Sequence, residues 1–184
     1  TNFSLGSLTG SGNITMAGPS NPPAEFTLTI DADSDHAFDG RIATNVRTLN
    51  LVKDGTASFT LSNSTLEHSG TTTVTDGLLS ITGTTSGNGA YSVENGGTLG
   101  GDGTIGTANA SVTIAAGGKL APGTSPGTLT FDLGTGELDL SSISTSALEF
   151  ELGTVSDQVV LNTGSLNIGT LNFDEFDFSA IGAL

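Results

Sequence analysis

The 184-residue chain contains no cysteine and no tryptophan, has one tyrosine, and carries only four basic residues. Without cysteine it forms neither a disulfide framework nor a thiolate metal site, and the redox compartment stays open. The chain also lacks an apolar run of 18 residues, so the sequence predicts no membrane-spanning helix. These absences exclude disulfide-stapled secreted scaffolds and helical membrane proteins.

The charge balance is strongly acidic. Nineteen Asp and Glu residues stand against Arg41, Arg47, Lys53 and Lys119, which gives a net charge of −15. Nucleic-acid binding depends on Lys and Arg contacts with phosphates, so a nucleic-acid partner is not expected, and anionic lipid surfaces are disfavoured for the same reason. Only 12% of the residues are charged. Ser, Thr, Asn and Gly must therefore cover most of the surface.

Helical periodicity is missing as well. Gly, Thr, Ser and Asn are poor residues for a helix interior, and no long stretch places apolar residues three and four positions apart. Short segments with alternating apolar residues occur instead, and they predict strands with one apolar face. These segments are Phe26–Ile30, Ala57–Ser62, Thr71–Thr75, Leu78–Gly83, Ser111–Ala116, Gly127–Gly134, Leu148–Gly153 and Ser165–Phe173.

Glycines recur at regular distances behind these apolar segments. A β-branched or large apolar residue followed three positions later by glycine occurs at Val52, Val74, Val93, Ile114, Phe131 and Leu161, at intervals of 22, 19, 21, 17 and 30 residues. Glycine is favoured where the chain turns sharply with a positive φ. The pattern predicts a repeat of roughly 20 residues in which two apolar strands flank a glycine corner. The predicted corners are Gly55, Gly77, Gly96, Gly117, Gly134 and Gly164.

Such a repeat cannot bury its own apolar face and has to stack on its neighbours. The sequence therefore predicts an all-β fold, a β-solenoid of short coils that forms one domain over residues 1–184. Residues 1–48 are expected to be less regular N-terminal coils or a cap, residues 49–173 the repeat region, and residues 174–184 a terminal coil or cap that is truncated or processed. An antiparallel β-sandwich, which also has short, regularly spaced strands, is the alternative.

Three stretches carry a resemblance to a known family. "GGTLGGDGTIG" at Gly96–Gly106, "VTIAAGGKLAPGTSPGTLTF" at Val112–Phe131 and "LEFELGTVSDQVVLNTGSLNIGTLNF" at Leu148–Phe173 resemble the passenger-associated, autotransporter-associated β-strand repeat. The stretch from Leu49 to Gly83 is similar to another version of the same repeat. The resemblance covers roughly Leu49 to Phe173, and its most specific part is "LAPGTSPGTL" at Leu120–Leu129.

The resemblance implies a right-handed parallel β-helix in a secreted or surface-displayed bacterial protein. It implies a non-enzymatic stalk, spacer or adhesin scaffold with an extracellular or cell-surface location. The implied partners are other segments of the same surface protein, other copies of the chain, or a glycan or protein on a host or cell surface.

An acidic loop is the candidate metal site. In "DADSDHAFDG", Asp31, Asp33, Asp35 and Asp39 occupy positions 1, 3, 5 and 9 of a series like that of calcium-binding loops. Position 6 is His36, where such loops need glycine, and position 12 is Ile42, where they need a bidentate glutamate. The segment is thus a weak calcium candidate with an acidic, solvated loop as the alternative. No other cofactor is expected.

The sequence gives little support for a catalytic site. Glu149 and Glu151 share one strand face by alternation, with Asp132 and Asp139 nearby in sequence, and paired carboxylates can hydrolyse glycosides. Solvent-facing acids that keep a sheet soluble are the simpler interpretation, because the chain has no tryptophan to build a sugar platform. The sequence predicts that the chain is not an enzyme, and a glycan-active enzyme is the less favoured alternative.

The last segment is rich in phenylalanine. Phe173, Phe176 and Phe178 alternate with Asp174, Glu175 and Asp177. A final coil that shields the open end of the core is one interpretation, because solenoid ends must be covered. The other is an assembly face that docks on a second copy, which would make the chain a subunit of an extracellular fibre or layer.

Overall fold

Short alternating segments stack into a parallel β-solenoid of about five turns. The structure is a computed structural model that describes residues 2–16, 25–44, 48–62 and 66–180. Each full turn carries three short strands, one on each of three faces, and corresponding strands of successive turns pair side by side. This confirms the predicted all-β solenoid.

The strands are numbered β1 to β20 in chain order and sort onto the three faces by their pairing. Face 1 contains β1 (Asn2–Leu5), β3 (Glu25–Asp31), β6 (Thr48–Asp54), β9 (Thr72–Val74), β12 (Tyr91–Val93) and β15 (Val112–Ile114). Face 2 contains β4 (His36–Phe38), β7 (Ser58–Leu61), β10 (Gly77–Ile81), β13 (Gly97–Gly101), β16 (Lys119–Pro122), β18 (Leu148–Leu152) and β20 (Phe176–Ala180). Face 3 contains β2 (Ile14–Met16), β5 (Ile42–Thr44), β8 (Leu66–Glu67), β11 (Thr84–Thr85) and β14 (Thr104–Gly106).

Two long strands join face 3 to face 1. The first part of β17 (Thr128–Asp139) pairs with β14 and its last part pairs with β15, so one strand bends around the corner. β19 (Gln158–Asn167) pairs along both parts of β17. Every pair of named strands in the described ranges is parallel, and one isolated antiparallel bridge joins Gly101 to Gly123. The alternative prediction, an antiparallel β-sandwich, is therefore wrong.

Inward side chains from successive turns form columns along the axis. On face 2 the column begins with His36 opposite Phe59 and is apolar from there on: Phe59, Leu79, Leu99, Leu120, Leu148 and Phe176. Its members from Phe59 to Leu148 are buried. Full burial of one such side chain contributes about 1.5–3 kcal/mol. The core is thus continuous along the solenoid, although the separate strands are short.

All six glycines predicted as corners have a positive φ. Gly55, Gly77, Gly96 and Gly117 lie at the corner between faces 1 and 2, whereas the other two lie within β17 and β19 where these bend. At Gly55, φ is 76° and a Cβ atom would lie 2.5 Å from the carbonyl oxygen of Ala32 in the turn below. Neighbouring turns approach so closely at this corner that a side chain has no room.

The predicted repeat was wrong in the number of strands per turn and in which residues share a column. Each turn has three strands instead of two, and the third was missed because β8 and β11 are only two residues long, too short to show alternation. In β6 the inward residue paired with Val74 is Lys53, while Val52 pairs with Thr73. Phe131 pairs with Ile105 on face 3 and thus does not continue the column of Ile114.

The predicted strand Ser165–Phe173 is also only partly formed. β19 ends at Asn167, and a 3-10 helix occupies Phe173–Glu175. No helix in the described ranges is both long and apolar enough to cross a membrane.

Candidate functional site

The four aspartates of the calcium candidate lie between the last residue of β3 and the loop that joins β4 to β5. Asp31 ends β3, and Asp35 accepts a hydrogen bond of 2.9 Å from the backbone N–H of Ser58 in the next turn. All four side chains are exposed. The described part of the chain contains no group of three or more His, Asp or Glu side chains arranged to hold a metal ion. The structure does not gather Asp31, Asp33, Asp35 and Asp39 into one site, and calcium binding stays a prediction.

A cavity of about 360 Å³ lies on the outside of face 2 near the C-terminal end. The predicted pair Glu149 and Glu151 lines it, and β20 adds Asp177. Asp132 and Asp139, which are near in sequence, do not line this cavity. The register explains the acidic lining, because Glu149 lies opposite Asp177 in the neighbouring strand and outward side chains of paired residues are adjacent.

Two carboxylates of this cavity are already engaged. Glu149 forms an ion pair with Lys119. Asp157 is buried and accepts hydrogen bonds from the backbone N–H groups of Gly127 at 2.8 Å and Glu151 at 2.7 Å. It therefore ties the loop before β19 to β18 and to the residue that precedes β17. Chemically, the remaining lining offers acceptors for sugar hydroxyl groups, and the cavity is at the small end of ligand sites.

A buried polar cluster inside the third and fourth turns was missed from the sequence. The Nε2 atom of His68 lies 2.9 Å from the hydroxyl oxygen of Thr72. Side-chain hydrogen bonds also join Tyr91 to Thr85 and Thr72. All four side chains are almost fully buried. Thr72, Thr85 and Tyr91 occupy inward positions of their columns, so strand alternation was the signal that could have found them.

Burial sets the protonation of this cluster. It lowers the pKa of His68 from 6.5 to about 4, while the nearby backbone of Thr71 acts in the opposite direction. It raises the pKa of Tyr91 to about 12. Both groups are therefore neutral at pH 7. The cluster is closed to solvent.

The three predicted phenylalanines do come together at the C-terminal end. The rings of Phe176 and Phe178 stack with their centroids 5.5 Å apart, and Phe173 lies 6.1 Å from Phe178. Phe150 of β18 joins them at 6.3 Å from both β20 rings. The Phe173 side chain is 80% exposed, so this aromatic cluster is only partly covered.

No family model, curated protein or solved structure matches the chain.

Proposed function

We propose that the chain is a non-enzymatic, structural β-solenoid segment of a secreted or cell-surface bacterial protein, acting as a stalk, spacer or adhesin scaffold. The observation that supports this most directly is the continuity of the interior columns. From Phe3 to Leu166, paired residues of face 1 follow one another through eight strands without a break.

Such continuous stacking of turns suits a rigid spacer. Backbone hydrogen bonds between parallel strands run along the axis, and each turn adds about 4.8 Å to the length. A turn gains its stability from the turns above and below, so the solenoid can be lengthened by repetition without a new core. The outer surface carries mostly Ser, Thr, Asn and Gly, and this composition indicates no specific ligand.

The exported location rests on the family resemblance and on composition. The stretches between Leu49 and Phe173 that resemble autotransporter-associated repeats support a passenger-type surface protein. A net charge of −15 without cysteine suits an extracellular environment, where it favours solubility. The partners in this proposal are other segments of the same surface protein and glycans or proteins on facing cells.

Surface labelling of intact cells tests the proposal. Antibodies raised against the purified chain should label the outside of the producing bacteria in immunogold electron microscopy. Brief protease treatment of the intact cells should remove that signal and spare a cytoplasmic control protein. A signal that appears only after lysis would contradict export.

The non-enzymatic part has its own test. Purified protein incubated with acidic and neutral polysaccharides should release no reducing ends above the level of a heat-denatured sample. If release occurs and is lost in Glu151→Gln, with the control Glu137→Gln, a glutamate that does not line the cavity, unaffected, the chain is a glycan-active enzyme with its site in the cavity on face 2.

A further inference from the structure

The outward side chains of face 1 form two columns that follow the solenoid axis. In β3, β6, β9, β12 and β15 the register places five residues opposite one another: Thr29, Val52, Thr73, Ser92 and Thr113. Two positions earlier along the chain, strand pairing and backbone hydrogen bonds align a second column: Thr27, Asn50, Thr71, Ala90 and Ser111. No register shift interrupts these strand pairs. We call these ten positions the face 1 grid.

The face 1 grid is polar but carries no charge. Seven of its ten residues have a hydroxyl group, Asn50 has an amide, and Val52 and Ala90 are apolar. This neutrality stands out in a chain with 19 acidic residues. Hydroxyl groups both donate and accept hydrogen bonds, so the grid can bind water molecules in either orientation.

The other two faces do not share this neutrality. The outward positions of face 2 include Lys119 and Glu149, and those of face 3 include Glu67. Within β3 and β6 the acidic residues stand at the strand ends, outside the two columns. An uncharged outer surface over five successive turns is therefore a property of face 1.

Strand geometry gives the grid a repeat in two directions. Neighbouring turns lie about 4.8 Å apart, and alternate residues of a strand lie about 6.6–6.8 Å apart. Both distances are close to repeat distances between the oxygen atoms of hexagonal ice. The hydroxyl groups are thus arranged in two dimensions in a pattern that a layer of ordered water can follow.

The side chains of the grid are held in place by the turns on either side of them. Nine of them are half-buried and Thr71 is exposed, so each remains in contact with solvent. The χ1 angle of threonine is restricted by its branched Cβ atom. The side-chain carbonyl of Asn50 is fixed as well, because it accepts a hydrogen bond of 3.0 Å from the backbone N–H of Thr71. A preordered surface loses little entropy when it binds a regular lattice.

We propose that the face 1 grid binds ice, through a layer of water that its hydroxyl and methyl groups hold in the pattern of the ice lattice. Ice is the occupant because it is neutral, repeats in two dimensions and consists only of hydrogen-bond donors and acceptors. The grid has no aromatic ring on which a sugar could stack and no cation for a phosphate. The composition of the surface indicates no ligand, whereas its arrangement on face 1 does. This inference goes beyond the proposed structural role and does not depend on it.

Partition into growing ice tests the proposal. Dilute protein is frozen slowly onto a cold surface, and the amounts in the ice and in the remaining liquid are compared. The wild-type chain should be enriched in the ice several-fold over serum albumin. Thr73→Lys, at the centre of the grid, should lose this enrichment. The matched control is Thr60→Lys, at a half-buried outward position of face 2 between Ala37 and Ser80, and it should behave as wild type.

Circular dichroism checks that each variant keeps its β-sheet spectrum, and Thr113→Lys provides a second grid variant if Thr73→Lys does not fold. Recrystallisation of ice in a sucrose solution gives an independent readout. The wild-type chain and Thr60→Lys should keep the ice grains several-fold smaller than folded Thr73→Lys or Thr113→Lys does.

Three results overturn the inference. They are a wild-type chain no more enriched in ice than albumin, equal behaviour of the grid variants and Thr60→Lys, and binding to crystalline cellulose or chitin that the grid variants lose while none binds ice. None of these results bears on the surface labelling of intact cells. Failure of the inference and failure of the proposed function are therefore distinguishable.

Discussion

Lys53 is the residue that departs most from its surroundings. It occupies the inward position between Ile30 and Val74 on face 1, and none of its surface is exposed. Its ammonium group donates to three backbone carbonyls at the corner: Asp54 at 2.9 Å, Gly55 at 2.7 Å and Asp76 at 2.9 Å. Burial lowers the pKa of Lys53, while the nearby carboxylates of Asp76, Asp54 and Asp31 oppose this. The lysine therefore brings a charged donor to three corner carbonyls, and the carbonyl of Asp54 also accepts from the backbone N–H of Ala32.

Replacement of Lys53 should be costly for that reason. Lys53→Met keeps the length of the side chain but removes all three of these hydrogen bonds, and we expect the free energy of unfolding to fall by about 2–4 kcal/mol. Lys119→Met is the matched control, because the Lys119 side chain is 43% exposed and its ion pair with Glu149 is worth less than about 1 kcal/mol. Urea unfolding followed by circular dichroism measures both. Equal losses in the two variants would show that the corner does not depend on the lysine.

His68 makes the stability depend on pH. Its pKa is about 4 in the folded chain and 6.5 when unperturbed, so the unfolded state binds an extra proton between these values. The full contribution of the neutral ring is present above pH 6.5. It is lost as the pH falls towards 4, for a total of about 3 kcal/mol.

A variant isolates this contribution from the many carboxylates. His68→Gln should flatten the dependence of unfolding free energy on pH between 6.5 and 4, because the amide can still bond to Thr72 but does not titrate there. The measurement is urea unfolding at a series of pH values. An unchanged slope in His68→Gln would place the titration elsewhere.

At the scale of the element, strands and corners stabilise the fold in different ways. The strands supply inward apolar side chains, and the glycine corners allow adjacent turns to touch. Glycine is required either because φ is positive or because a Cβ atom would have no room, and three glycines distinguish these two reasons. Gly12 has neither a positive φ nor close neighbours, and Gly10 has a φ of 98° in open space. Gly55 has both a φ of 76° and the carbonyl oxygen of Ala32 at 2.5 Å from the position of an added Cβ atom.

Alanine substitutions at these positions should form a graded series. Gly12→Ala should change stability by less than about 0.5 kcal/mol. Gly10→Ala should cost about 1–2 kcal/mol through the left-handed backbone alone. Gly55→Ala should cost more than Gly10→Ala, because the added Cβ also meets the Ala32 carbonyl. Thermal and urea unfolding give the order, and a Gly55 effect no larger than that of Gly10 would contradict the close packing of turns.

For the whole molecule, stability should be nearly additive over turns. Each turn pairs with its neighbours and not with distant turns, which is the condition for such behaviour. A chain that starts at Thr48 loses 47 of 184 residues, and it should keep its β-sheet spectrum while the urea m-value falls by roughly a quarter. Collapse of the whole sheet on this truncation would show that the first two turns nucleate or cap the rest.

The continuous columns also belong to this scale. A single turn cannot show that Phe3 and Leu166 are ends of one column, because they are separated by 163 positions in the chain. Only the register of seven strand pairs connects them. The same holds for the cavity on face 2: alternation placed Glu149 and Glu151 on one side of a strand, whereas Asp157 and Asp177 joined them through stacking and a loop contact.

By itself, the sequence determined the all-β solenoid, the roughly 20-residue step and the inward positions of residues such as Leu99 and Ile105, which are fully buried. Glycine spacing and apolar alternation are local consequences of backbone sterics, so they are visible in the chain. Only the tertiary structure decided the third face, the inward Lys53 and the His68–Tyr91 cluster. These depend on which turn lies above which, and a shift of one residue in register moves a side chain from the surface to the core.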